Sequence, residues 1–171
     1  MPVHNGSVSA TTLVPVGEYL SSVYEPEMDF VDGELENRNV GEKDHSKLQA
    51  RLIKLLPDGF AVFPEVRIQV SPTRFRVPDV CVYLAEPEEQ VFTSAPFVVI
   101  EILSPEDRMS RMQRKIEDYW RMGCPNVWIL DPWRRKAYRY DGNAMIEALE
   151  ALTTDDSRLR LGLNAIFPEG R

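Results

Sequence analysis

The chain has 171 residues, 43% hydrophobic and 27% charged, a balance that gives one domain enough apolar chain to bury a core. Its net charge of −7 argues against broad nonspecific phosphate binding, though not against a local basic patch. No apolar run approaches the roughly 18 residues of a membrane-spanning helix. The N-terminus lacks the basic-then-apolar order of a secretory signal, and Cys81 and Cys124 lack metal-type spacing and read as reduced core residues; the chain is expected in the cytoplasm.

Residues 1–15 are polar, with Pro2 and Pro15, and read as a flexible lead-in to a single domain over 16–171. Val16, Tyr19, Leu20 and Val23 fall at helical spacing and predict a short helix that ends before Pro26. Asp32-Gly33 between two strand-like runs predicts a hairpin with a two-residue turn, anchored on the core by Phe30 and Leu35. The hairpin is very acidic. It is either simply solvated or lends one acid to a site, and Glu34 is then the candidate. Helical periodicity over 42–56 predicts a helix with Leu48, Leu52, Ile53, Leu55 and Leu56 inward. His45 and Gln49 fall on the same stripe, as satisfied core polars or as residues overlooking a site.

Residues 60–70 and 74–84 read as two strands joined by a turn at Ser71-Pro72-Thr73. Pro78 removes a ladder donor, so pairing must break there, and Asp79 sits at the irregularity. An acidic loop follows. Phe97-Val-Val-Ile-Glu-Ile-Leu103 is a strand buried on both faces whose one carboxylate is Glu101. Ser104 or Asp107 is expected to cap the next helix, whose stripe is Met109, Met112, Ile116, Tyr119 and Trp120, with Lys115 at its edge and Gly123 as its stop. Asn126 to Leu130 is another apolar strand. A meander over residues 136–152 and a closing turn over 163–167 complete the chain. The order implies an α/β or α+β fold, a mixed central sheet packed by two helices.

A carboxylate in a central strand is costly unless it is paired or binds a cation. Two of them, Asp79 and Glu101, in neighbouring strands point to a site for Mg²⁺ or Mn²⁺, with the carbonyl of Ile102 as a third oxygen. The bland alternative is ion pairing with Arg76 or Lys115. Such a cation lowers the pKa of a water and stabilises charge on phosphate, and Lys115 is placed to reach back over the strand's end. There is no glycine-rich phosphate loop and no GxSxG elbow, and with only His4 and His45 histidine-rich metal sites and most histidine-based triads are out.

Asp32-Gly-Glu-Leu35, His45-Ser46, Pro78-Asp-Val80, Glu101-Ile-Leu-Ser-Pro105, Lys115 with Tyr119, and Trp128-Ile-Leu-Asp-Pro132 come in one order. Together they resemble the Uma-type restriction endonucleases, a family of the PD-(D/E)XK nuclease superfamily, over residues 16 to about 140. The resemblance implies a restriction-endonuclease-like core and a divalent metal on Asp79 and Glu101, with Glu34 as an additional acid. The superfamily's lysine normally stands two residues after the glutamate, where this chain has Leu103; the resemblance implies that Lys115 of the following helix replaces it. Arg111 stands where that helix usually carries an acid.

The function expected is Mg²⁺-dependent hydrolysis of DNA phosphodiesters. His45, Gln49 and Arg76 are expected to line the site or meet substrate, and Arg74 and Arg108 to meet the phosphate backbone. A homodimer is the expected assembly, because cutting both strands needs two sites and one chain supplies one. The rival is a catalytically silent protein using the same fold as a binding or interaction module, favoured by the negative net charge. A third reading, hydrolysis of a small phosphate ester, calls for a closed pocket too small for a duplex.

Overall fold

The computed structural model describes residues 12–38 and 42–169. Most of the expected lead-in, residues 1–11, lies outside them. Its described end is docked: the Val14 N–H donates to the Gly33 carbonyl at 2.8 Å. Helix α1 (Val16–Ser21) buries only Tyr19, which stacks on Phe30 and tilts against Phe75, while Leu20 and Val23 are exposed. Six residues are too few for a full apolar stripe. Strands β1 (Asp29–Val31) and β2 (Glu34–Glu36) form the expected hairpin. Asp32 and Gly33 both have positive φ, 51° and 95°, as a turn matched to strand twist requires.

Helix α2 (Lys43–Leu55) turns His45, Leu48 and Leu52 inward and leaves Ile53 exposed. The two long strands expected next are each broken in two: β3 (Ala61–Pro64) and β4 (Ile68–Ser71), then β5 (Arg74–Arg76) and β6 (Val80–Tyr83). The breaks face each other. Glu65 has φ 53° and its N–H donates to the Pro78 carbonyl at 3.2 Å. The proline cannot donate to a ladder, so the hairpin bends there and its halves join different sheets. The outer half completes a four-stranded sheet in the order β2-β1-β5-β4. The inner half enters the main sheet, and the chain from Arg76 to Val80 crosses the seam between the two.

Strand β7 (Val98–Ile102), helix α3 (Met109–Met122) and β8 (Asn126–Asp131) form a β-α-β unit with parallel strands. Arg108, not Ser104 or Asp107, holds the N-cap position of α3, without a side-chain cap bond; Met109, expected inside, is exposed in this first turn. Strands β9 (Lys136–Tyr140) and β10 (Met145–Ala148) complete a six-stranded mixed sheet, β10-β9-β8-β7-β6-β3. The expected meander over 136–152 is interrupted after β10, at exposed Leu149. Beyond it, β11 (Ala151–Thr153) pairs with β12 (Arg160–Gly162), and α4 (Leu163–Ile166) follows.

The main sheet is covered on both faces, a mixed α+β architecture of three layers. Residues Val80, Val82, Val98, Ile100, Trp128 and Leu130 pack toward α2 and α4. Their alternates Cys81, Val99, Val127 and Ile129 pack toward α3. Strand alternation therefore sends Glu101, one residue after Ile100, to the α3 face. Both cysteines are buried and unbonded. Among the described residues no helix is long and apolar enough to cross a membrane.

Candidate active site

Glu101 is 2% exposed, with two partners one turn apart on α3. Lys115 Nζ lies 2.9 Å from its Oε1 and donates to Oε2 at 3.1 Å, and the Tyr119 hydroxyl donates to Oε1 at 2.7 Å. Lys115 also donates to the Val77 carbonyl at 3.1 Å and lies 3.7 Å from Asp29 Oδ2. Burial pushes the Glu101 carboxyl up to about 7; Lys115 opposes this, and the charges of Asp79 and Asp29 add to it. Burial alone would lower the Lys115 ammonium, but Asp29 and Glu101 outweigh it and hold the ammonium above its ordinary value.

Asp79 sits at the bend before β6, where Pro78 has released the chain from pairing. Its Oδ2 accepts the Ile102 N–H at 2.7 Å, so β7 itself ties Asp79 beside Glu101. Its Oδ1 accepts from Arg38 Nη2 at 3.0 Å and lies 3.3 Å from His45 Nε2. Behind it, Gln49 Nε2 donates to the Asp79 main-chain carbonyl at 2.9 Å. Burial works against ionising Asp79, yet the hydrogen bond from His45 and the charges of Lys115, His45 and Arg38 keep it below the usual carboxylate range. The same contact, working against burial, raises His45.

The four-stranded sheet contributes Asp29, 1% exposed. Its Oδ1 accepts the Val77 N–H at 2.8 Å and its Oδ2 accepts from Arg76 Nη1 at 3.3 Å. Arg76 is 0% exposed. It also donates to Glu36 at 2.9 Å and to Asp118 at 2.8 Å. Arg76, expected to meet substrate, is thus a correction: strand alternation turns it inward between hairpin and α3, beyond the reach of any nucleic acid. Arg74 is likewise engaged, by Asp32 at 2.7 Å and Asp118 at 2.9 Å.

Asp29, Arg38, His45, Asp79, Glu101 and Lys115 line one small polar cleft of about 40 Å³. Of the residues singled out in the sequence, Asp79, Glu101, Lys115, His45 and Ile102 meet there. Ile102 engages Asp79 through its amide, not its carbonyl. Gln49 stands behind the cleft and steadies the backbone of Asp79. Glu34 is exposed on β2, opposite Val31, and lies outside the cleft; the hairpin acid in it is Asp29. Arg38 was missed because it follows the hairpin in a stretch without periodicity. Asp29 did leave a signal: it adjoins Phe30, so strand alternation had to turn it away from the ring cluster. Arg111 donates to the Asn37 carbonyl and lies 3.5 Å from Glu36, so it braces the chain just before Arg38.

Among the described residues no three His, Cys, Asp or Glu side chains are grouped as a metal cage. Mg²⁺ and Mn²⁺ do not need one, since they take one or two carboxylates with water and phosphate oxygens. Asp79 and Glu101 in one cleft fit that donor chemistry.

A family model described as "Putative restriction endonuclease", Uma2, matches residues 17–166. The chain belongs to the Uma2 family. The fold also matches a crystal structure titled as a putative nuclease belonging to DUF820 from Anabaena variabilis ATCC 29413. That match has a TM-score of 0.77 and 20% identity, and covers 88% of this chain and 96% of the other. No curated protein matches significantly. In this Uma2 protein Leu103 stands two residues beyond Glu101, and the ammonium that meets Glu101 comes from α3.

Proposed function

We propose that this Uma2 protein is a divalent-cation-dependent endonuclease that hydrolyses DNA phosphodiesters. The observation that carries the reading is the convergence of Asp79, Glu101 and Lys115 on one cleft, from a broken hairpin, a central strand and a helix. Mg²⁺ or Mn²⁺ held by Asp79 and Glu101 supplies charge stabilisation at phosphate and a more acidic water. The protein does the rest by position. Lys115 favours the ionised form of Glu101 against burial and aims it, and its ammonium offsets negative charge brought in by phosphate. Tyr119 fixes the second carboxylate contact. Gln49 and the Ile102 amide hold Asp79, and His45 balances its charge. Arg38, bonded to Asp79 Oδ1 at the cleft, is a cation placed to meet a phosphate there. In a homodimer, two such clefts would serve the two strands.

One observation favours the silent-module reading instead. Asp79 already has Arg38 and His45 on one oxygen, so its charge is met without a cation. Plasmid nicking separates the two. With Mg²⁺ or Mn²⁺ the wild type is expected to nick supercoiled DNA, and Asp79→Asn, folded to the same thermal midpoint, is expected not to. Equal nicking by both, or none by either, overturns the endonuclease reading.

A further inference from the structure

Beside the acid cleft, a second pocket of about 220 Å³ opens at the carboxyl ends of the parallel strands β7 and β8. Its walls are Leu103, Pro105, Met109, Met112 and Trp133, with Arg134 at the rim. It adjoins the acid cleft, and Ser104, Asp107 and Met112 line both.

Trp133 is 61% exposed and Met109 is 64% exposed. The turn imposes this on Trp133. Asp131, buried at the end of β8, accepts the N–H groups of Trp133 and Arg134, each at 3.0 Å, through one oxygen. Its other oxygen accepts from the Arg134 guanidinium at 3.2 Å. The indole is thus presented outward by a braced turn and is not a frayed core residue. An aromatic ring and thioethers around a small pocket suit a flat heterocycle.

We propose that this pocket receives one unstacked nucleobase of the substrate strand, stacked on Trp133, while the adjoining phosphate lies in the acid cleft. The inference rests on the endonuclease reading and deepens it by assigning a base subsite. The occupant follows from size and place. A protein partner needs on the order of 800 Å² of surface, whereas this pocket is ring-sized. A strand whose phosphate sits by Asp79 and Glu101 has a base within one nucleotide of it. Aromatic stacking accepts any base, so the pocket positions the strand more than it selects sequence.

The test uses a short single-stranded oligonucleotide carrying one 2-aminopurine, with Ca²⁺ present, and the same strand with an abasic residue at that position. Anisotropy of a dye on the end of each strand gives affinity, and 2-aminopurine emission reports stacking. Wild type is expected to quench the base. Trp133→Ala is expected to bind roughly tenfold more weakly, with Trp133→Phe recovering most of the loss. The abasic strand should cost the wild type the same factor and cost Trp133→Ala nothing. Plasmid nicking is run on the same preparations. If wild type nicks but Trp133→Ala binds as tightly as wild type, or the abasic penalty is equal in both, the base subsite is refuted and the endonuclease reading stands. If wild type neither nicks nor binds the oligonucleotide, the endonuclease reading fails and takes the subsite with it. Base-dependent binding without nicking keeps the subsite and removes the activity.

Discussion

Replacing Glu101 by glutamine separates what this carboxylate costs the fold from what it does in the cleft. Burial displaces its pKa from 4.5 to about 7. At 1.36 kcal/mol per pH unit, that displacement is worth about 3 kcal/mol of stability. Because the folded value is the higher one, the contribution is fully present below the ordinary glutamate pKa and is lost as pH rises through about 7. Glutamine has the same shape and does not ionise. Its amide oxygen can still accept from Tyr119, and Lys115 keeps the Val77 carbonyl at 3.1 Å and Asp29 at 3.7 Å. Glu101→Gln should therefore gain about 3 kcal/mol on wild type between about pH 4.5 and about pH 8. His45, raised by its contact with Asp79, is present in both proteins and adds a background common to the two. Asp79, held low, and Lys115, held high, titrate outside it. Urea unfolding in EDTA at several pH values measures the difference. A gap between the two proteins that stays constant with pH refutes the reasoning, because Glu101 would then ionise as it does in the unfolded chain.

Arg76→Met should destabilise the protein by about 3–5 kcal/mol, because it strands three acids around a buried site; urea unfolding within about 1 kcal/mol of wild type would contradict this. Arg38→Gln removes a competitor from Asp79 Oδ1 and should tighten Mn²⁺ binding about tenfold, the worth of one charged hydrogen bond; calorimetry showing weaker binding would mean that Arg38 supports the cation. Gly142 has φ 94°, and a Cβ there would lie 2.7 Å from the Trp120 ring. Gly142→Ala should thus cost about 1–3 kcal/mol by thermal unfolding, and an unchanged midpoint would show that the indole yields freely.

The core elements were legible because each had one dominant signal. The uninterrupted apolar run from Phe97 placed β7, Asp32-Gly33 placed the hairpin turn, and Pro78 located the break beside Asp79. The second half of that break was not legible, since Glu65 adopts positive φ in a stretch that reads as continuous strand. Without it the two halves could not be sent to different sheets, and so the seam could not be seen. Arg76 and Glu34 were misplaced for a related reason. The strand of Arg76 is sandwiched between hairpin and helix and has two inner faces, whereas Glu34 is on the edge strand β2 and is exposed. Alternation alone tells neither which face a charge can leave nor which strand is the edge. Lys115 was placed at the edge of a helical wheel, yet it is buried because α3 leans over the seam, a long-range property that no wheel contains. Among the residues at the cleft, those lying in strongly patterned stretches were legible; Arg38, in an unpatterned one, was not.

The central claim is that Asp79 and Glu101 hold one divalent cation between them. Mn²⁺ titration by calorimetry, on wild type, Asp79→Asn and Glu101→Gln, tests it directly. One site in the wild type, lost in each variant while both remain folded, is the result expected. No heat of binding to folded wild type, with or without DNA, or a site that persists in both variants, would contradict the claim.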